Sequence, residues 1–499
     1  MKTNFVKLRW LFTMLLFVTT MIMPTMMLAK SIDLKIPEGD GAGTPYKIGT
    51  AEELYWFAGL VNGTLPGVKK DLSANAILTD DIIVNTGVLD PNKDLVSGND
   101  FIEWIPIGKS SSDDDAYTGT FDGNGHTISG LYFNKSNSWY VGLFGCIGAE
   151  GKISNVGVSD SYFQSSNCPY IGGVCGSNSG ELQNCSNSST VIGKENEYRI
   201  GGVCGYNSGT VKDCKNTGSV RGKETIGGVC GYNERRYNEK GGIIENSFNE
   251  GTVSGTGDYD VLNIGGVCGY NYGGTIKSCY NTATVSVTGK KVGGVCGDNS
   301  DGTSTITNCF NEGTVRGKET IGGVCGNNSG TIKSCYNTAS VSGQYSVGGV
   351  SGYNYGGTIK SCYNTASVSG QYSVGGVCGD NYEGPITNCY YLSGTVADGK
   401  GGIGGKDDEN GKAVEMSKDR FKSGEVAWLL NGSKSVSTEE STLAWYQKLG
   451  ENADAYPVLT STGDNTVYGG YQHGSRVRCF SNTVQHSTGE CKLNCVKLQ

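Results

Sequence analysis

A five-residue motif recurs through the middle of this chain at a spacing too short for an independently folded unit. That feature limits the fold more than any other. Gly-Gly-Val-Cys-Gly begins at Gly172, Gly201, Gly227, Gly265, Gly293, Gly322 and Gly375, and Gly348 opens the variant Gly-Gly-Val-Ser-Gly. A degenerate copy, Val141-Gly142-Leu143-Phe144-Gly145, precedes them. Successive second glycines lie 31, 29, 26, 38, 28, 29, 26 and 27 residues apart. Some copying is literal: 330–350 and 357–377 are the same 21 residues. A unit of this length cannot bury a face alone and must stack on its neighbours.

Each unit continues with Gly-x-Asn, a Gly-rich turn, a Val/Ile segment, Cys, an aromatic, Asn and a final Val. Segments such as Thr331-Ile332-Lys333-Ser334-Cys335-Tyr336 are short, β-branched and bracketed by turn residues, which reads as strand and not helix. The expected fold is all-β, a parallel β-solenoid (β-helix) of about nine coils with small helical caps at both ends. A β-propeller is the competing architecture, but its blades need about 40–45 residues. Stacking predicts ladders of equivalent side chains. Asn178, Asn207, Asn233, Asn271, Asn299, Asn328, Asn354 and Asn381 hold one position, and Asn187, Asn216, Asn249, Asn281, Asn311, Asn337 and Asn364 a second. Both are read as structural turns, since asparagine tolerates left-handed geometry and stacked amides can hydrogen-bond along the axis.

The run Ile321-Gly322-Gly323-Val324-Cys325-Gly326-Asn327-Asn328-Ser329-Gly330-Thr331-Ile332, followed by Ser334-Cys335-Tyr336-Asn337, resembles the GLUG repeat. The resemblance covers roughly 140–395. It implies a β-solenoid in exported bacterial proteins, including surface adhesins and the non-catalytic part of IgA-cleaving metallopeptidases. It brings no catalytic residue with it.

The flanks organise as follows. Residues 1–29 read as a signal peptide, with an N-terminal membrane anchor as the alternative because the apolar stretch is near spanning length: Lys2, Lys7 and Arg9 precede an apolar stretch that ends at a small-residue cleavage site. Its removal leaves 37 basic against 48 acidic residues, a net charge of -11 and no transmembrane segment in the mature chain. That acidity argues against a nucleic-acid partner. Residues 30–139 are expected to form an N-terminal cap and first irregular coils, with Thr50 and Glu53 as a capping box opening a helix over 51–61. Residues 396–470 are expected to form a linker and second cap, with Ser417 opening a helix over 418–431. Both helices are expected to act as lids over exposed strand edges. The tail, 471–499, matches neither repeat nor cap.

Fourteen of the 19 cysteines form two ladders. One is Cys175, Cys204, Cys230, Cys268, Cys296, Cys325 and Cys378; the other is Cys185, Cys214, Cys279, Cys309, Cys335, Cys362 and Cys389. An exported chain could oxidise them. Ser351 and Ser247 interrupt the ladders, however, so cysteine as a small buried hydrophobe explains the pattern better than disulfides do. A metal site is disfavoured because no Cys-x-x-Cys occurs, and no cofactor is implied.

No His-Glu-x-x-His is present, and His126 sits in the turn Asp122-Gly123-Asn124-Gly125-His126 without acid–base partners. Asp298 and Asp380 read as a solvated rim, and the acidic segment 406–411 as a linker and not a calcium loop. Phe248, Tyr280, Phe310, Tyr336, Tyr363 and Tyr390 recur at one position in six consecutive repeats. They are either an inward stack filling the solenoid or an exposed stripe for ligands. Two insertions, 234–242 and 255–263, should protrude from the rod as functional loops do. These features point to a secreted or cell-surface adhesion scaffold, non-enzymatic, that binds host or microbial glycans or surface proteins. The alternative is a secreted carbohydrate-active enzyme with carboxylates clustered near the insertions, since fold alone does not exclude catalysis.

Overall fold

A computed structural model describes residues 32–459 except 99, 111–113, 168, 195–198, 236–241, 256–262, 398–399, 405–411, 433–443 and 449–452. It also describes the backbone of Tyr468–His473 and Arg476–Ser481, an antiparallel strand pair. The expected signal peptide, the acidic segment 406–411, the inner parts of both insertions and the rest of the tail lie outside the described residues.

The chain is a parallel β-solenoid. One coil illustrates the rest: face 1 is Cys268–Tyr272, face 2 Thr275–Lys277, face 3 Tyr280–Asn281, face 4 Val285–Val287 and face 5 Lys290–Gly293. Each strand pairs in parallel with its equivalent one coil away, so Cys268 faces Cys296, Ile276 faces Ile306 and Asn281 faces Asn311. Faces 1, 4 and 5 each form a nine-stranded sheet, as the nine motif copies require. Faces 2 and 3 run to twelve strands, beginning at Tyr46–Ile48 and Ile82–Ile83. The coil count therefore exceeds nine, because residues before 140 build coils without the glycine motif.

Inward columns of aliphatic residues fill the coil. Face 2 supplies Leu182, Val211, Ile244, Ile276, Ile306, Ile332, Ile359 and Ile386, all buried. The glycines of the motif make room for backbone. A Cβ on Gly265 would lie 2.0 Å from the Cys268 carbonyl oxygen, and one on Gly266 would lie 2.1 Å from Gly294 O. Left-handed turns fall elsewhere than expected. The ladder asparagines are extended strand residues. One positive-φ column is instead the residue before the second-ladder cysteine: Asn184, Asp213, Ser278, Asn308, Ser334, Ser361 and Asn388, with φ of 51–55°; Lys291, Thr320, Ser346 and Ser373 on face 5 form another. Short polar side chains tolerate that conformation best after glycine.

At the N-terminal end the helix Ala51–Asn62 lies over the first coils. Thr50 Oγ1 accepts from Glu53 N at 3.3 Å, Glu53 Oε2 accepts from Gly49 N at 2.9 Å, and Gly63 ends the helix at φ 64°. Phe57 meets Phe121 and Tyr117 with ring centroids 6.0 and 6.1 Å apart, so aromatic residues plug the rod where repeats begin. The C-terminal end differs from expectation. Ala413–Met416 adds the last strand of face 3, and the single helix expected over 418–431 is two, Lys418–Lys422 and Glu425–Leu430, broken at Gly424 with φ 81°. These helices do not sit on the open end; they fold back along the flank of the rod. Among the described residues no helix is long and apolar enough to cross a membrane.

Candidate binding surface

In Cys-Tyr-Asn of face 3 the cysteine and asparagine are buried while the aromatic between them points outward, as strand alternation demands. The aromatic row is therefore outside the solenoid, not a filling of its core. From Phe248 to Tyr280, Phe310, Tyr336 and Tyr363 the ring centroids are 4.6, 4.8, 4.8 and 5.1 Å apart. The planes agree within 6°. Only half of the row is open. Phe248, Tyr280 and Phe310 are half-buried, whereas Tyr336, Tyr363 and Tyr390 lie beneath Met416, Phe421, Leu430 and Trp445 of the C-terminal segment. Tyr363 donates from its hydroxyl to Pro457 O at 2.6 Å, and Trp445 Nε1 donates to Ser361 O at 3.1 Å. Burial drives the Tyr336 and Tyr390 hydroxyls above their ordinary pKa, so both stay protonated donors. Tyr336, Tyr363 and Tyr390 are thus removed from the expected ligand stripe by a contact that no local pattern encodes.

The asparagine ladders are hydrogen-bonded from coil to coil. Asn178, Asn207, Asn233, Asn271, Asn299, Asn328 and Asn354 each donate from Nδ2 to Oδ1 of the next, over 2.7–2.8 Å. The second ladder repeats this from Asn187 to Asn364 over 2.8–2.9 Å.

The fifteen described cysteines are buried free thiols. Each first-ladder thiol donates to the carbonyl two residues on, as Cys204 does to Tyr206 O at 3.0 Å. Each second-ladder thiol donates two residues back, as Cys214 does to Lys212 O at 3.2 Å. The serines do the same: Ser351 Oγ to Tyr353 O at 3.1 Å and Ser247 Oγ to Glu245 O at 2.9 Å. A small donor is what the position requires, and sulfur or oxygen meets it. Burial pushes the Cys268, Cys296 and Cys325 thiols well up, which keeps them neutral and poorly nucleophilic. Thiol counting on denatured, freshly purified protein should return about ten or more free thiols; two or fewer would contradict this role.

His126 stands 3.5 Å from Asp81, a neighbour the sequence did not reveal, in the turn made by Asn124 at φ 51°. Asp298 is not a solvated rim residue. It is buried, pairs with Lys291 at 2.7 Å, and accepts from Ser300 Oγ and Asn327 Nδ2, both at 2.8 Å. Carboxylates flanking the insertions are engaged separately: Glu234 by the Tyr206 hydroxyl at 2.5 Å, Glu245 by Lys277 at 2.9 Å and Glu250 by Lys215 at 2.8 Å. Among the described residues no three His, Cys, Asp or Glu side chains are grouped to hold a metal ion.

A second aromatic row escaped the sequence reading. Tyr140 stacks on Tyr170 at 5.1 Å, Tyr170 meets Tyr206 edge-on at 5.5 Å, and Tyr206, Tyr232 and Tyr270 follow at 5.8 and 4.9 Å. Its signal was the recurrence of Tyr in Cys-Gly-Tyr-Asn at three consecutive copies, hidden because the same position holds Ser, Asp or Asn in others.

The family profile described as the GLUG motif matches residues 196–221, 260–286 and 343–369. Halomucin of Haloquadratum walsbyi is 38% identical over 84 residues, 17% of this chain. A protein of Evansella cellulosilytica provisionally named a Gly-rich membrane protein is 33% identical over 78 residues, 15% of this chain. These stretches span 1% and 9% of the two relatives' own lengths. A crystal structure from Bacteroides ovatus, provisionally titled an immunoglobulin A1 protease, is 18% identical. It aligns over 86% of this chain and 96% of its own with a TM-score of 0.38.

Proposed function

The chain carries GLUG repeats, and from that premise we propose that it is an exported, non-enzymatic scaffold of the cell surface or its surroundings, engaging glycans or surface proteins. The observation that carries this reading is the open half of the face 3 row. Phe248, Tyr280 and Phe310 stack within 6° of coplanarity on the outside of a rod whose interior is filled by its own side chains. Rigid rings offer contact area at low entropic cost. A solenoid repeats that offer along its length, which suits weak multivalent attachment better than a single reaction centre. Similarity over 78 residues to a relative named as a membrane protein, and the expected signal peptide, favour an extracellular location.

The test replaces Phe248, Tyr280 and Phe310 by Ser together and screens the mature chain and variant against glycan and host-protein arrays. The expected result is loss of the part of the binding that the face 3 row carries, with a melting temperature lowered by only a few degrees, roughly 2–4 °C per kcal/mol lost. A variant that melts far lower would make the rings structural. One that binds and melts unchanged would leave the row without a role.

A further inference from the structure

We propose that the second aromatic row is an acidic-glycan site centred on Arg199, a reading that rests on the binding-scaffold function but places recognition at a different part of the rod. The row lies along the seam between face 5 and face 1. There the glycine motif brings the two faces together: a Cβ on Gly205 would lie 2.7 Å from both Gly176 O and Ile171 N. Side chains from the start of face 5 and from face 1 therefore share one surface. Tyr140, Tyr170 and Arg199 come from the first column, in register through Val141, Ile171 and Ile200. Tyr206, Tyr232 and Tyr270 come from the second.

Arg199 closes the seam. Its guanidinium carbon lies 5.0, 5.2 and 4.4 Å from the ring centroids of Tyr170, Tyr206 and Tyr232, and Nη1 donates to the Tyr170 hydroxyl at 2.7 Å. Ring faces attract a cation at these distances, so the guanidinium is held in place before any ligand arrives. A guanidinium has five N–H donors in a planar fork. Among the described residues Arg199 pairs with no carboxylate.

The comparison within the molecule makes this specific. Lys215 also lies over a ring, 5.1 Å from Phe248, but Glu250 neutralises it at 2.8 Å. Further along the seam, beyond Tyr270, Lys291 is neutralised by the buried Asp298 at 2.7 Å. The exposed pairs Tyr345–Tyr372 and Tyr355–Tyr382 stack at 5.2 and 5.5 Å, and among the described residues no cation lies over them. Among the described residues, only at Arg199 does a stacked cation keep its charge for an outside partner. A planar fork on an aromatic platform fits a planar or tetrahedral oxyanion, and flanking tyrosines offer flat surfaces to the rings that bear it. Glu234, holding the Tyr206 hydroxyl at 2.5 Å, borders the site and disfavours a bare polyanion such as nucleic acid. The occupant that meets all of these is a glycan with spaced carboxylates or sulfates.

Affinity electrophoresis of the full mature chain tests this with polygalacturonic acid, chondroitin sulfate and neutral dextran as probes. Arg199→Ala and Arg199→Lys are run beside the triple-Ser face 3 variant, and all are melted. The expected result is retardation by at least one acidic glycan and none by dextran. Arg199→Ala should weaken it about tenfold or more, since hydrogen bonds to charged groups contribute about 1.5–3 kcal/mol. Arg199→Lys, which keeps the charge but loses the fork, should fall between, and the face 3 variant should bind the acidic glycan as before. Which probe retards the chain tells carboxylate from sulfate. Retardation that survives Arg199→Ala, or is lost only in the face 3 variant, would overturn the site. Binding of the neutral probe alone, or of none of the three, would overturn the site and leave the scaffold reading intact; absence of any ligand on the glycan and host-protein arrays as well would overturn both.

Discussion

Asn271→Leu should destabilise the rod by about 2–6 kcal/mol, because it strands two buried polar groups and each such loss costs about 1–3 kcal/mol. Asn271 is fully buried mid-ladder; it donates to Asn299 Oδ1 at 2.8 Å and Gly274 O at 3.0 Å and accepts from Asn233 Nδ2 at 2.8 Å. Leucine matches it roughly in size and offers none of these. The Asn299 oxygen and one Asn233 amide hydrogen are then stranded where water does not reach, while the Gly274 carbonyl keeps its bond from Thr305 N at 3.0 Å. The ladder also predicts a gradient. Asn381, at the last position, is partly exposed; it accepts from Asn354 at 2.7 Å and donates to Gly384 O at 3.0 Å but passes no bond to a further asparagine. Asn381→Leu should therefore cost less than half as much, with solvent taking up the freed donor. Urea titrations of both variants, with hydrogen exchange to localise the loss, compare them. Equal costs at the two positions would mean that the ladder bonds contribute little.

Removing Trp445 should act locally and strongly. Its side chain is fully buried, 6.0 and 5.2 Å from the Tyr336 and Tyr363 rings. A large aromatic truncated to alanine in such a setting costs about 3–5 kcal/mol. The segment it anchors lies on the flank of the rod and not within its core. The loss should detach that segment while the coils keep their melting behaviour. Limited proteolysis of Trp445→Ala should cut within 417–459 at a protease concentration that leaves the parent intact. Detachment would also uncover Tyr336, Tyr363 and Tyr390 and lengthen the open row, so ligands of Phe248, Tyr280 and Phe310 should bind more tightly. Collapse of the coils in this variant would instead make the segment part of the rod's own folding unit.

The coil was legible because everything that defines it is local and repeated. One motif copy states the inward cysteine, the inward asparagine and the outward ring between them, and stacking supplies the partners. Even Ser247 and Ser351, which look like defects in the cysteine ladders, turn out to state the rule, since each hydroxyl makes the bond the thiol makes. What escaped was non-local. Nothing near Tyr363 announces Trp445, eighty-two residues on, and nothing near Tyr170 announces that Arg199 and Tyr206 will share a seam with it. The early coils were underestimated because they keep the strand pairing of faces 2 and 3 without the glycine signature. Asp298 was misjudged because its satisfaction comes from Lys291 and Asn327, on other strands.

Every amide in both asparagine ladders donates in the same direction, toward the C-terminus, so each coil receives one bond and passes on an identical one. A coil therefore carries no mark of its place in the series. Inserting or deleting one leaves its neighbours with the same instruction, and the duplicate stretches 330–350 and 357–377 present the C-terminal segment with interchangeable seats. The length of the rod is in this sense uncounted by its chemistry. A coil added or removed would lengthen or shorten the rod's reach while leaving the fold indifferent to the change.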